Sequence, residues 1–220
     1  MRVYDRYICG DYEALFLNSV THSRSYSPGQ SFYQLFVDQT SQNKDQFEIY
    51  NGDLKHMVHD GLPIEFLFVD AMKDFELTDH IARQFYPALL GGSLLFHQDY
   101  VHYYTSWIHI LTFTLRECFE FLYHIPNSAS AVFRVVKAPS WTPSVHDLMH
   151  CDDSNIERAF AYSRKMISGS MRENIDAAEV MHYIHLKRTD VALDLYRKWK
   201  SRHGKPKYEM AEIERILADA

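Results

Sequence analysis

The chain is poor in cysteine and glycine and has no long hydrophobic run, and each shortage excludes something. Three cysteines among 220 residues (Cys9, Cys118 and Cys151) are odd in number, far apart and without a Cys-x-x-Cys pair. They exclude a disulfide framework and a thiolate zinc site, and read as reduced thiols of a cytoplasmic protein. No apolar run approaches the eighteen or so residues that cross a bilayer, and no signal-peptide pattern opens the chain, so no membrane partner is expected. Thirteen histidines form no His-Glu-x-x-His, and no Gly-x-Ser-x-Gly occurs, which leaves zincin and Ser-His-Asp chemistry without support. Eight glycines form no Gly-x-Gly. Positive charge is scarce in the larger part: residues 1–151 carry 17 acids against 10 bases, and 152–220 carry 12 against 13. Nucleic acid is therefore not an expected partner.

What is present suffices for a folded body. Hydrophobic residues make up 46% of the chain and aromatics 15%, enough for a sizeable core. The most informative stretch is Pro63-Ile-Glu-Phe-Leu-Phe-Val-Asp70, followed by Leu90-Gly-Gly-Ser-Leu-Leu-Phe-His-Gln-Asp-Tyr100. Two short apolar runs each end in a carboxylate, with a helix-length segment (74–90) between them. Ligands of an open parallel sheet bind beyond the carboxyl ends of its strands, so Asp70 and Asp99 are expected to face one crevice.

Around this pair the chain reads as alternating strands and helices. Strands are expected at 2–8, 46–50, 64–69 and 93–97, with helices at 29–42 and 105–118, the last burying Trp107, Ile108, Leu111 and Leu115. Gly91-Gly92 is read as the turn into the fourth strand. Residues 119–124 and 131–137 flank Ile125-Pro-Asn-Ser-Ala-Ser130 as an antiparallel hairpin. Beyond Ala138-Pro-Ser-Trp-Thr-Pro-Ser144 the pattern turns helical: 154–168, capped by Asp153 or Ser154, then 172–186, 189–201 and 208–218. The fold class is α/β: a Rossmann-like, mostly parallel sheet with a terminal antiparallel hairpin in residues 1–140, and a helical extension in 146–220.

Each candidate residue also has a plain structural reading. Asp70 can cap the following helix, and Asp5 and Asp53 can be ordinary turn acids. His97 and His102 can be hydrogen-bonded core groups. Trp107 can anchor its helix.

In order and spacing, Ile64–Asp70, Gly91-Gly92 with Ser93–Asp99, and the hairpin resemble the second half of class I S-adenosylmethionine-dependent methyltransferases, particularly macrocin-type small-molecule and sugar O-methyltransferases. The resemblance covers roughly residues 1–137. It implies S-adenosylmethionine as cofactor, with Asp5 on its ribose and Asp53 facing its adenine. It implies a small hydroxylated, sugar-like acceptor near Asp70 and Asp99 as catalytic acids, with Lys73 orienting the acceptor or pairing with Asp70. His97, His102 and Trp107 would line the acceptor pocket. A Mg²⁺ on Asp70, Gln98 and Asp99 is the lesser alternative to direct proton removal by a carboxylate.

The chain departs from that family in three places. The glycine-rich cofactor turn and the first strand preceding it are missing, so cofactor binding is expected to be weak or lost. The usual Asp-Gly-Asp is Asp70-Ala-Met-Lys73, and Asp-Asp is Gln98-Asp99. In the family's sheet the missing strand lies between the second and fourth. An upstream segment, direct pairing of the flanking strands, or a second copy in a homo-oligomer would complete it. Two functions follow: an O-methyltransferase-like enzyme, or a catalytically inactive methyltransferase fold serving in binding or assembly.

Overall fold

The computed structural model describes residues 1–21 and 25–219. It divides into two compact units, Met1–Val58 and His59–Ala220. In the first, strands β1 (Arg2–Asp5) and β2 (Glu48–Asn51) pair in parallel, Val3 beside Ile49 and Asp5 beside Asn51. Helix α1 (Asp11–Val20) has no counterpart in the sequence reading. It buries Ala14 against Cys9 and Tyr26, with Leu17, Phe32 and Leu35 packed around them. Helix α2 spans Tyr33–Thr40, later than the expected start at Gly29. The cause is competition for backbone bonds: after the turn at Gly29 (φ +85°), Cys9 N–H donates to Gln30 O (2.9 Å) and Phe32 N–H to Tyr7 O (2.9 Å), which ties residues 30–32 to the 7–9 segment by an antiparallel bridge.

The second unit contains a four-stranded sheet in the order β3-β4-β6-β5. Strand β3 (Ile64–Val69) runs parallel to β4 (Leu89–His97), with Val69 opposite His97. On the other side of β4 lies the hairpin, β5 (Phe119–His124) and β6 (Ala131–Val135), with β6 antiparallel to both β4 and β5. Between β3 and β4 lies α3 (Phe75–Phe85), capped by the Asp74 carboxylate on the Leu77 N–H at 2.7 Å. The helix is shorter than expected because a 3₁₀ turn with Pro87 ends it before Leu89. Gly91-Gly92 is a bulge inside β4 and not a turn before it. One two-residue step on β3, Ile64 to Phe66, spans Leu89 to Leu94 on β4, and Gly92 (φ +92°) absorbs the excess in a region that L side chains avoid.

Leu95, His97 and Phe133 point into the core, whereas Phe66 and Phe68 on the other face of β3 are 55% and 48% exposed. Helix α4 (Trp107–Thr114) follows β4 and buries Trp107, Ile108 and Leu111 as its pattern predicts. The extension comprises α5 (Val145–Met149), α6 (Asp153–Met166), α7 (Arg172–His185), α8 (Thr189–His203) and α9 (Tyr208–Ala218). The cap of α6 is Asp152, one residue before the expected pair; its carboxylate takes the Asn155 N–H at 2.8 Å. Helix α6 packs on α4, and α7 on α6, α8 and α9, within the same compact unit as the four-stranded sheet. The described strands thus form one two-stranded sheet in the first unit and one four-stranded sheet in the second. No helix in the described residues is long and apolar enough to cross a membrane.

Candidate functional site

Parallel pairing of Val69 with His97 places the next residues of both strands at one edge. The Gln98 N–H donates to Val69 O at 3.0 Å and carries the ladder one step further, so Asp70 and Asp99 emerge as neighbours. After Asp70 the chain turns tightly, Lys73 N–H to Ala71 O at 2.8 Å, and this brings Lys73 back over the edge. Its ammonium lies 3.0 Å from Asp70 Oδ1 and also donates to Asp99 Oδ2. The side chains are 53% exposed for Lys73, 43% for Asp70 and 16% for Asp99, so Asp70 faces solvent and Asp99 stands behind it.

Burial raises the Asp70 carboxyl above its ordinary range. The hydrogen bond and charge of Lys73 oppose that shift, and the Asp99 carboxylate adds to it. Burial works to lower the Lys73 ammonium, but its bonds to Asp99 and Asp70 more than reverse this and hold it charged.

The loop after Asp99 is tied to itself. Thr105 Oγ1 donates to Asp99 O at 2.7 Å and His102 N–H to the same carbonyl at 3.1 Å. His102 is partly buried beside this loop, its ring stacked on Tyr103 and its Nδ1 accepting the Tyr104 N–H at 3.2 Å. Burial lowers its pKa, with the Asp99 charge working in the other direction, so the ring is neutral with its proton on Nε2.

Two expected pocket residues are placed elsewhere. His97 is buried on the core face of β4 with Nε2 hydrogen-bonded to the Tyr86 hydroxyl at 2.9 Å, because the alternation that sends Phe96 outward sends His97 inward. Trp107 is buried beneath the site, and its indole N–H donates to Met72 O at 3.0 Å. It therefore holds the 71–73 turn that presents Lys73 and does not wall a pocket.

The Mg²⁺ given above as the lesser alternative does not fit the arrangement. Lys73 already fills the space between the two carboxylates that a cation would need. Among the described residues no group of three or more His, Cys, Asp or Glu is placed to hold a metal ion.

In the first unit, Asp5 and Asp53 lie at the same carboxyl end of the β1–β2 pair. Asp5 Oδ1 accepts the Tyr7 N–H at 2.8 Å, and Asp5 O accepts the Gly52 N–H at 3.0 Å. Asp53 Oδ1 caps a short 3₁₀ turn through the Lys55 N–H at 2.9 Å. Acids on adjacent strand ends suit the hydroxyls and amino group of a nucleoside. Beside them the buried Tyr7 hydroxyl has no hydrogen-bond partner among the described residues.

Two features had no signal in the sequence. One is a buried polar cluster under the site. Ser163 Oγ of α6 is hydrogen-bonded to both the Tyr100 hydroxyl and His109 Nδ1, each at 2.9 Å, and Ser106 Oγ to His182 Nδ1 of α7 at 3.2 Å. The other is Glu209 of α9, whose Oε2 accepts the Tyr103 N–H at 2.7 Å. Serine at a core helix position and a glutamate 106 residues away leave no local pattern to read. Asp70, Lys73 and Asp99 line neither of two clefts, one of about 440 Å³ (Tyr26, Gln30 and Gln34, among others) and one of about 480 Å³ (His150, Cys151, His185 and Arg188, among others). No family model matches the chain, and no curated protein or solved structure matches it.

Proposed function

We propose that this protein is an S-adenosylmethionine-dependent O-methyltransferase of the class I type, acting on a small hydroxylated, sugar-like acceptor at the carboxyl edge of β3 and β4. One observation carries the reading: adjacent parallel strand ends deliver Asp70 and Asp99 to a shared ammonium, that of Lys73. When bound, the cofactor supplies a sulfonium methyl group.

The chain's own residues do the rest. Asp70, the more exposed carboxylate, takes the proton of the acceptor hydroxyl, and burial makes it a stronger base than an ordinary aspartate. The acceptor oxygen, freed of its proton, would be the nucleophile toward the methyl group that the cofactor would supply. Lys73 holds Asp70 in place through Asp99 and supplies positive charge beside the developing alkoxide. Proton removal needs no metal here, since the cation between the carboxylates is Lys73.

The test is methyl transfer to a panel of sugars and small alcohols at high cofactor concentration, with calorimetric titration of the cofactor alongside. Weak cofactor affinity is expected in a chain without Gly-x-Gly. Asp70→Asn and Asp99→Asn should each lower turnover by about 10²–10⁴-fold with cofactor affinity unchanged, and activity should survive EDTA. Near-wild-type turnover in both variants would refute the assignment. A second reading, an inactive binding or assembly module, is favoured by the Lys73 ammonium already satisfying both carboxylates. Transfer to no acceptor at saturating donor would establish it over the first.

A further inference from the structure

The helical extension reaches the candidate site through one charged side chain. Glu209 stands in the first turn of α9 and accepts the amide hydrogen of Tyr103, in the loop that carries Asp99 and His102. The loop's other ties are Val101 N–H to Ala129 O of the β5–β6 turn, His102 N–H to Asp99 O and Tyr104 N–H to His102 Nδ1 within the loop, and His185 Nε2 of α7 with Tyr104 O, none of them made by a carboxylate side chain. The Tyr103 amide looks to the extension. Helix α9 is itself firmly seated, with Met210, Ile213 and Leu217 buried and with Glu214 held by both Lys200 and Tyr196 of α8.

We propose that Glu209 is a positioning residue that works as a pH-dependent latch: protonated, it keeps α9 docked on the Asp99 loop, and ionised, it releases that loop. This rests on the reading of Asp70 and Asp99 as the acceptor site and adds regulation to it. A carboxylic acid accepts the Tyr103 N–H through one oxygen and occupies its partly buried place at less cost than a carboxylate. A carboxylate there must give up hydration and face the charge of Asp99. Burial accordingly pushes the Glu209 carboxyl up to about 7, with the Tyr103 N–H working to lower it and Asp99 to raise it.

By linkage, a group that binds its proton more tightly when docked than when free favours docking at low pH. The latch therefore holds fully below the ordinary glutamate range and weakens as pH rises to about 7. The other titratable and charged groups around it are accounted for. On the loop side stand Asp99, His102 and Tyr103, with Lys73 bonded to Asp99. On α9, Glu212 and Arg215 lie beside Tyr103. Lys200 and Tyr196 of α8 are committed to Glu214, and His182 and His185 of α7 to Ser106 Oγ and Tyr104 O.

The experiment is amide-resolved NMR of the full chain labelled with ¹⁵N-tyrosine, from pH 5 to 8.5, with Tyr103 assigned through Tyr103→Phe. The Tyr103 amide should titrate with a midpoint near 7. Its protection from hydrogen exchange, corrected for intrinsic base catalysis, should fall by up to about tenfold per pH unit up to that midpoint and then level off. Glu209→Gln keeps an acceptor oxygen but cannot titrate, so the shift should be flat and the corrected protection constant. Asp99→Asn should lower the wild-type midpoint, and this decides the matter even if Glu209→Gln folds poorly. A Tyr103 titration that persists in Glu209→Gln, or a wild-type midpoint in the ordinary glutamate range, would overturn the latch. These readouts need no turnover, so the latch and the methyltransferase reading fail separately.

Discussion

Acid should unfold residues 59–220 well before ordinary carboxylates titrate, because three histidines are buried neutral. Burial lowers His97 to about 4 and His109 and His182 to about 3 each, the charges of Arg164 and of the other histidines adding to the shift at His109. One ring nitrogen of each, His97 Nδ1, His109 Nε2 and His182 Nε2, has no partner among the described residues to accept an added proton's hydrogen bond. In the unfolded chain all three titrate near 6.5. Folded pKa values below the unfolded ones mean that the unfolded chain takes up protons the folded one refuses. Stability is therefore complete above about 6.5 and is lost as pH falls toward 4.

Each histidine contributes about 1.4 kcal/mol per pH unit in that window, so at pH 5 the three together cost about 6 kcal/mol. That is comparable with the whole stability of many domains, about 5–15 kcal/mol. Glu209 has the opposite sign over the same range and offsets about one of the three, so the full slope belongs to a Glu209→Gln background. Urea unfolding followed by tryptophan fluorescence isolates the relevant unit, since Trp107, Trp141 and Trp199 all lie in it. His182→Gln, which keeps a polar group beside Ser106 but cannot titrate, should remove about a third of the histidine slope. A stability unchanged between pH 7 and 5 in the Glu209→Gln background, or an unaltered slope on adding His182→Gln, would refute the reasoning.

Trp107→Phe removes the donor to Met72 O and should cost about 1–3 kcal/mol in urea unfolding; an unchanged midpoint would show that the 71–73 turn does not depend on the indole. Gly92→Ala tests the bulge. An added Cβ there meets nothing within 4 Å, so the expected loss of about 1–2 kcal/mol comes from the positive φ alone, and a neutral result would discount that strain.

Strand β3 could be read to the residue because its apolar run lies between Pro63 and Asp70, and α9 because its periodicity is clean and starts after Gly204 and Pro206. Helix α1 escaped because Tyr12, Leu15 and Phe16 are exposed apolar residues that blur its buried face. Gly91-Gly92 carries the same local signal whether it forms a turn or a bulge, and pairing with β3 decides between them. At the site, strand-end carboxylates were legible from position alone. The orientations of His97 and Trp107 depend on which face meets the core, a tertiary fact. Glu209 and Ser163 reach the site region only through helix packing, over separations that no local pattern spans.

The sharing of Ser163 between Tyr100 and His109 bears on how this chain can be cut and recombined. Composition changes near residue 146, which invites treating the helices beyond as a cassette to be grafted or deleted. Removing them would take the buried Ile156 and Phe160 out of the core and leave the Tyr100 hydroxyl, the His109 ring and the Ser106 hydroxyl facing water without their partners. Modular exchange at that border would therefore divide one core between two chains.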